Sequence, residues 1–360
     1  MIDCDVHCAP ASWAALKPYL APGWWRFVEE HQHGDGPSGV ALAGLPYAYP
    51  KAAFLGDALA APGPVVPSSY EELCERYLDR SSADFVLLNC ASTFDANRNP
   101  YFQKALAAAL NDWLRDEWLA RDPRLRASVV VPWIDADGAV EEIERVGCEP
   151  GFVQVLLPVR AEAPWGQKPF HGLFEAAAER ELAVGLHAWG PPNHADNTKG
   201  YTTTYVEDYL SNATIAQQHL ISLVAEGVLG KFPDLRFVVA ECGFTWLPTL
   251  LWRLDKDWKG LWPEVPWVQE KPSISLRRSL GITTAPAHLG GATPEFIRES
   301  VEMTGAGMLL YASDYPHDHG PDGLRLLDAL DDTTRDAIVD GNARRLFDLP
   351  RVASNVKEGT

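Results

Sequence analysis

Asp5 and His7 stand two positions apart at the end of the apolar run that opens the chain. Three other apolar runs also end on a side chain that can hold a metal or a proton. Leu182–Leu186 leads to His187, Phe237–Ala240 to Glu241, and Met308–Ser313 to Asp314. Side chains of a strand alternate between its faces, so Asp5 and His7 point the same way as a ready ligand pair. Two imidazoles and two carboxylates, from Asp5, His7, His187 and Asp314, suit one divalent ion, Zn²⁺ or Mn²⁺. Glu241 closes an apolar stretch, and the desolvation expected there raises a carboxyl pKa towards the range useful for proton transfer.

Each residue has an ordinary alternative. His187 could be a hydrogen-bonded core histidine, Asp314 a helix or turn cap, and Glu241 a carboxylate that fixes a loop by accepting backbone N–H groups. What favours the chemical interpretation is the set, provided that the fold gathers the ends of the strands. A parallel β/α barrel does so, because its active site is built from the C-terminal ends of several strands.

The runs needed for a barrel are present. Eight strands are predicted: Ile2–His7, Asp84–Cys90, Ala127–Pro132, Phe152–Leu157, Ala183–His187, Arg236–Glu241, Leu280–Thr284 and Gly307–Ser313. Most are short and continuously apolar, as parallel strands buried on both faces are. Helical patterns fall between them, over Pro100–Ala120, Asp137–Val146, Phe170–Arg180, Thr214–Leu229, Thr245–Asp257, Thr293–Met303 and Thr333–Phe347. The alternation predicts an α/β fold, a (β/α)₈ TIM barrel occupying residues 1–350 as one domain, with 351–360 as a tail. Two long insertions, 8–69 after the first strand and 188–213 after the fifth, are expected to cap the site. An equally weighted alternative is that they cover the barrel or form a subunit contact. They supply the expected substrate contacts Trp24, Trp25 and His194. In the loop after Asp314, His317 is expected beside the ligands and substrate, and His319 in solvent.

Composition narrows the function. The chain has 360 residues and a formal net charge of −18, which opposes nucleic-acid phosphates and acidic membranes. No apolar run reaches the ~20 residues needed to span a bilayer. The opening residues lack a basic segment, so no secretory signal is predicted and a cytosolic location is expected. Six cysteines, without a CxxC pair, are expected to be reduced and buried.

Asp5-x-His7, Gly185-Leu-His187, Glu241-Cys-Gly-Phe-Thr-Trp-Leu-Pro248 and Ser313-Asp-Tyr-Pro-His317 resemble the amidohydrolase superfamily. More narrowly, the chain is similar to the amidohydrolase-related branch that includes aminocarboxymuconate semialdehyde decarboxylase-like enzymes. The resemblance covers roughly residues 1–350. It implies a barrel with a mononuclear metal at its C-terminal mouth and a last Asp that is both ligand and acid/base. Two positions depart from the commoner pattern. Asp5 replaces the first His of His-x-His, and Glu241 stands where decarboxylases of the branch commonly carry His. Binuclear members carry a carboxylated Lys at the end of strand four. Gly151–Pro158 has no Lys, and Gln154 is its only polar side chain, which favours one metal.

The leading expectation is hydrolysis of an amide, ester or lactone of a small molecule by metal-activated water, with Asp314 as base and Glu241 as orienting group or acid. The alternative is non-oxidative decarboxylation of an aromatic or unsaturated acid. A catalytically silent barrel that serves as a binding protein stands as a third possibility. A homodimer is the expected assembly.

Overall fold

The computed structural model describes residues 1–31, 53–60, 64–90, 97–190 and 202–351. Eight parallel strands follow one another in chain order around a barrel: β1 Ile2–His7, β2 Phe85–Asn89, β3 Leu125–Val130, β4 Phe152–Pro158, β5 Ala183–His187, β6 Phe237–Ala240, β7 Leu280–Thr283 and β8 Leu309–Leu310. The chain just after β8 closes the barrel onto β1. Cys4 donates its N–H to Tyr311 O, Asp314 donates to Asp5 O, and His7 donates to Tyr315 O.

The strands are short apolar segments whose residues are almost all buried, as in a sheet covered by helices on its outer side. Helix boundaries follow local chemistry. Asn99 caps the helix Pro100–Leu114, with Pro100 pre-set at its first position. Asp135 caps Ala136–Val146 through the Gly138 N–H, a contact of the kind that contributes about 1 kcal/mol. Between the helices and the barrel lies one continuous apolar core. Trp118, Phe102 and Phe174 are fully buried in it, each contributing on the order of 2 kcal/mol or more by burial.

Three expectations need correction. The last strand was predicted over Gly307–Ser313, but Ala306–Met308 form a 3₁₀ turn and only Leu309–Leu310 pair with β7. Side chains take over beyond them, since Thr284 Oγ1 accepts Ala312 N–H and Asp3 Oδ1 accepts Ser313 N–H. The second insertion is shorter than predicted, because a helix over Tyr205–Ala225 starts inside it. Its start is fixed by a capping box in which Thr204 and Glu207 satisfy each other's backbone N–H groups. The last predicted helix, Thr333–Phe347, is three pieces: Asp332–Asp336, a wider π turn over Ala337–Gly341, and Asn342–Leu346.

Candidate active site

The strand ends converge at one rim. Asp5 and His7 come from β1, His187 ends β5, Glu241 follows β6, and Asp314 follows β8. Asp5, His187 and Asp314 are buried, and so are His7 and Glu241 apart from a small exposed edge. His7 Nε2 lies 2.8 Å from Asp314 Oδ1 and 3.8 Å from Asp5 Oδ1. His187 Nε2 lies 3.2 Å from Asp5 Oδ2, and its Nδ1 lies 3.7 Å from Glu241 Oε2. Thus the residues predicted as ligands share one cluster, with Glu241 against it.

Glu241 and Asp314 both have left-handed backbones, φ 59° and 58°. Such a conformation costs an L-residue about 1–2 kcal/mol and is retained where the surroundings impose it. It turns the chain sharply at the strand end and directs each carboxylate back over the barrel mouth. At Glu241 the turn is fixed by Thr283 Oγ1, which accepts the Glu241 N–H at 3.1 Å and donates to Ala285 O.

Two histidines after β8 complete the cluster. His317 Nδ1 is 3.1 Å from Asp314 Oδ1, and His319 Nε2 is 2.5 Å from Asp314 Oδ2. His319 was expected in solvent. Its side chain is instead only 15% exposed and packed on the carboxylate. The loop folds back because residues 53–55 of the first insertion pair with it: Asp318 donates to Ala53 O and Leu55 to Pro316 O. The Phe54 ring stacks on His317 at 5.1 Å. On another side of the site, Tyr209 meets His288 edge-on at 6.0 Å. The helix bearing Tyr209 is held to the β4 loop by Arg160, which reaches Asp208 at 2.9 Å and Asn212 at 2.7 Å. Sequence reasoning missed Phe54, Tyr209 and His288; only aromatic enrichment of the two insertions pointed towards the first two.

The other predicted substrate contacts fall elsewhere. Trp24 packs on Phe27 and Phe102, while Trp25 donates to Glu29 and lies under Lys17. Both therefore sit on the outer helices rather than with Asp314. His194 lies outside the described residues.

Charge in the cluster is strongly redistributed. Burial opposes ionisation of Asp314, but His317, His319 and His7 outweigh it and hold this carboxyl well below its usual range. Burial likewise opposes Asp5, and His187 with His7 pulls it down. His187 and His317 would be driven neutral by burial, yet Asp5 beside one and Asp314 beside the other raise each to about 9. Glu241 goes the opposite way, raised first by burial and then by Asp314. One carboxyl at the mouth thus holds charge and the other favours a proton.

The donors fit a divalent cation. Asp5–His7–His187, His7–Asp314–His317 and Glu241–Asp314–His319 each bring their ligand atoms within 4.8 Å of one another. Asp5 Oδ2 and His187 Nδ1 are buried with no hydrogen-bond partner among the described residues, as atoms aimed at an ion would be. Mixed carboxylate and imidazole donors suit Zn²⁺ or Mn²⁺.

Known proteins share this architecture. Gamma-resorcylate decarboxylase of Rhizobium sp. (strain MTP-10005) is 25% identical over 257 residues, which are 68% of this chain and 76% of that protein. The solved 5-carboxyvanillate decarboxylase of Sphingomonas paucimobilis superposes with a TM-score of 0.67 at 20% identity, covering 97% of this chain and 99% of that one. The enzyme of that activity from Novosphingobium aromaticivorans, solved with manganese and 4-hydroxy-3-methoxy-5-nitrobenzoic acid, gives 0.67 at 17% identity, covering 97% and 96%. The structural likenesses establish a shared fold. The Amidohydrolase family model matches residues 2–349, nearly the whole chain and every strand end that carries a predicted ligand. By that match this chain belongs to the amidohydrolase family of metal-dependent barrel enzymes.

Proposed function

We propose that the chain is a metal-dependent, non-oxidative decarboxylase of a hydroxylated aromatic acid. The observation that carries the proposal is that the curated relatives include three gamma-resorcylate decarboxylases, matched across two thirds of the chain. The site agrees in kind. Flat aromatic side chains, Phe54 on His317 and Tyr209 against His288, stand on two sides of the charged cluster, as a planar ring requires. Hydrolysis of a C–N or C–O bond, the leading expectation from sequence, finds less support in these relatives.

Asp5, His7, His187 and Asp314 would hold a divalent cation, which would supply Lewis-acid charge to a substrate carboxylate and its neighbouring hydroxyl. The protein's own part is proton delivery and exclusion of water. Asp314, ionised at rest, relays a proton from its histidine partner His317 to the ring carbon that bears the carboxylate. The bond from that carbon to the carboxyl carbon then breaks, its electron pair returns to the ring, and CO₂ leaves. His317 and His319, both on Asp314 oxygens, return a proton to it from solvent. Glu241, across from Asp314, orients the substrate and keeps a second proton at the mouth.

The test is CO₂ release from 2,6-dihydroxybenzoate and 5-carboxyvanillate by protein loaded with Mn²⁺ or Zn²⁺. Turnover of amide, ester or lactone panels with no CO₂ from the acids would replace this proposal with hydrolysis. A homodimer is part of the proposal, and a monomer mass by light scattering would remove it.

A further inference from the structure

Three polar side chains inside the barrel take no part in the chemistry above, yet they lead to it. Gln154 on β4 donates from Nε2 to Ser128 Oγ on β3 at 2.9 Å. Ser128 Oγ donates to Asn89 Oδ1 on β2 at 2.6 Å, and Asn89 Nδ2 donates to Asp5 Oδ1 on β1 at 2.8 Å. All three are essentially unexposed. Interior positions of such barrels are ordinarily filled by branched apolar side chains, so a polar file across four adjacent strands calls for a reason. It also carries a cost, because Gln154 Oε1 is buried without a hydrogen-bond partner among the described residues. Room for Gln154 is made by Gly185 on β5, where a Cβ would stand 2.4 Å from Gln154 Nε2.

The direction of the file follows from chemistry. An ionised Asp5 can only accept, so Asn89 must present its NH₂ group. Asn89 Oδ1 then accepts, Ser128 must donate, and its oxygen is left to accept from Gln154. Each bond polarises the next towards Asp5.

The geometry points to Asn89, Ser128 and Gln154 as positioning residues for the cation: their one-way hydrogen-bond chain ends on Asp5 Oδ1, fixes that carboxylate, and leaves Oδ2 for the ion. This rests on the assignment of Asp5 as a ligand. The inward polar position of β4 thereby serves the ion through Asp5 rather than by direct ligation.

The experiment is calorimetric titration of the metal-stripped full chain with Mn²⁺, with circular dichroism to check folding. Wild type is expected to bind about one ion per chain. Ser128→Ala and Gln154→Met, neither of which touches a ligand, are expected to weaken binding by up to about 10-fold, the low end of the loss known for direct partners of metal ligands. Gln154→Glu keeps the shape but replaces the donor with an acceptor, which forces the chain to reverse, and it should bind more weakly than Gln154→Met. A purely structural role would give the two Gln154 variants the same affinity. Should Ser128→Ala fail to fold, the Gln154 pair decides. Folded variants that bind as tightly as wild type would overturn the positioning role while leaving Asp5 a ligand; a wild type that binds no Mn²⁺ would overturn both.

Discussion

Glu241→Gln separates what this residue does for the reaction from what it does for the fold. The carboxyl lies beside Asp314, the two sharing with His319 a cluster whose ligand atoms are within 4.8 Å. Two unit charges at that separation, with an effective dielectric of about 20, repel by ~3.5 kcal/mol. If Glu241 already holds its proton in the metal-free protein, that repulsion is absent and the amide changes little. The metal-free variant is therefore expected to be at least as stable as wild type, with a gain of a few kcal/mol if Glu241 is ionised there. Activity should move the other way. Loss of a positioned acid/base group lowers kcat by roughly 10²–10⁴-fold. Ion content should stay at the wild-type value, since Glu241 lies outside the set Asp5, His7, His187 and Asp314. Urea denaturation of stripped protein, elemental analysis and a CO₂-release assay read the three quantities. Unchanged kcat would refute the catalytic role, and a destabilised variant would show that the carboxylate fixes the loop instead. Among other replacements, Glu241→His should retain more decarboxylase activity than Glu241→Ala, because His commonly occupies this position in decarboxylases of the branch.

The remaining predictions concern other parts of the molecule. His187→Ala should lose both bound ion and activity; retention of a stoichiometric ion on elemental analysis would show the ligand set to be misassigned. His219 is buried, accepts the Trp165 N–H at Nδ1 and donates from Nε2 to Val159 O, and burial holds its pKa below the ordinary 6.5. Below pH 6.5 the unfolded chain takes up a proton that the folded chain refuses. Stability therefore falls with acid by up to ~1.4 kcal/mol per pH unit until the folded pKa is reached. His219→Gln should flatten this slope in denaturation curves between pH 7 and pH 5; an unchanged slope would assign it to other groups. Trp24→Ala should cost about 1–3 kcal/mol of stability through lost packing on Phe102 and leave KM within about two-fold. A large rise in KM would return Trp24 to the substrate site.

How much of this was legible in the sequence depended on whether the signal was local. β1 and β5 have the predicted limits because their apolar runs end on His7 and His187, the predicted ligands. The Tyr205 helix start was readable too, since Thr204-x-x-Glu207 is a capping-box signature, but it stood in a stretch assigned to a loop. The early end of β8 was not readable. It comes from the Asp3 carboxylate and the Thr284 hydroxyl, each brought to the backbone by the closed barrel. His319 was hidden for a similar reason. Five residues after Asp314 and beyond a proline, it has no periodic relation to the strand, and the first insertion is what folds its loop inward.

Asn89, Ser128 and Gln154 show where the boundary lies. Each is a polar side chain in a strand of otherwise mainly apolar residues, a visible anomaly when taken singly. Nothing in the sequence joins them, because 39 residues separate the first pair and 26 the second. Parallel register does the joining: His7 pairs with Asn89, and Ser128 with Gln154. Side chains at matched heights in neighbouring strands meet inside the barrel, and a donor sequence ending on a carboxylate is then fixed in direction. A polar break in an apolar strand is thus a question that the order and register of the strands answer. Here they place all three breaks in line with the proposed metal ligands, which is where a barrel with one ion has most use for buried hydrogen bonds.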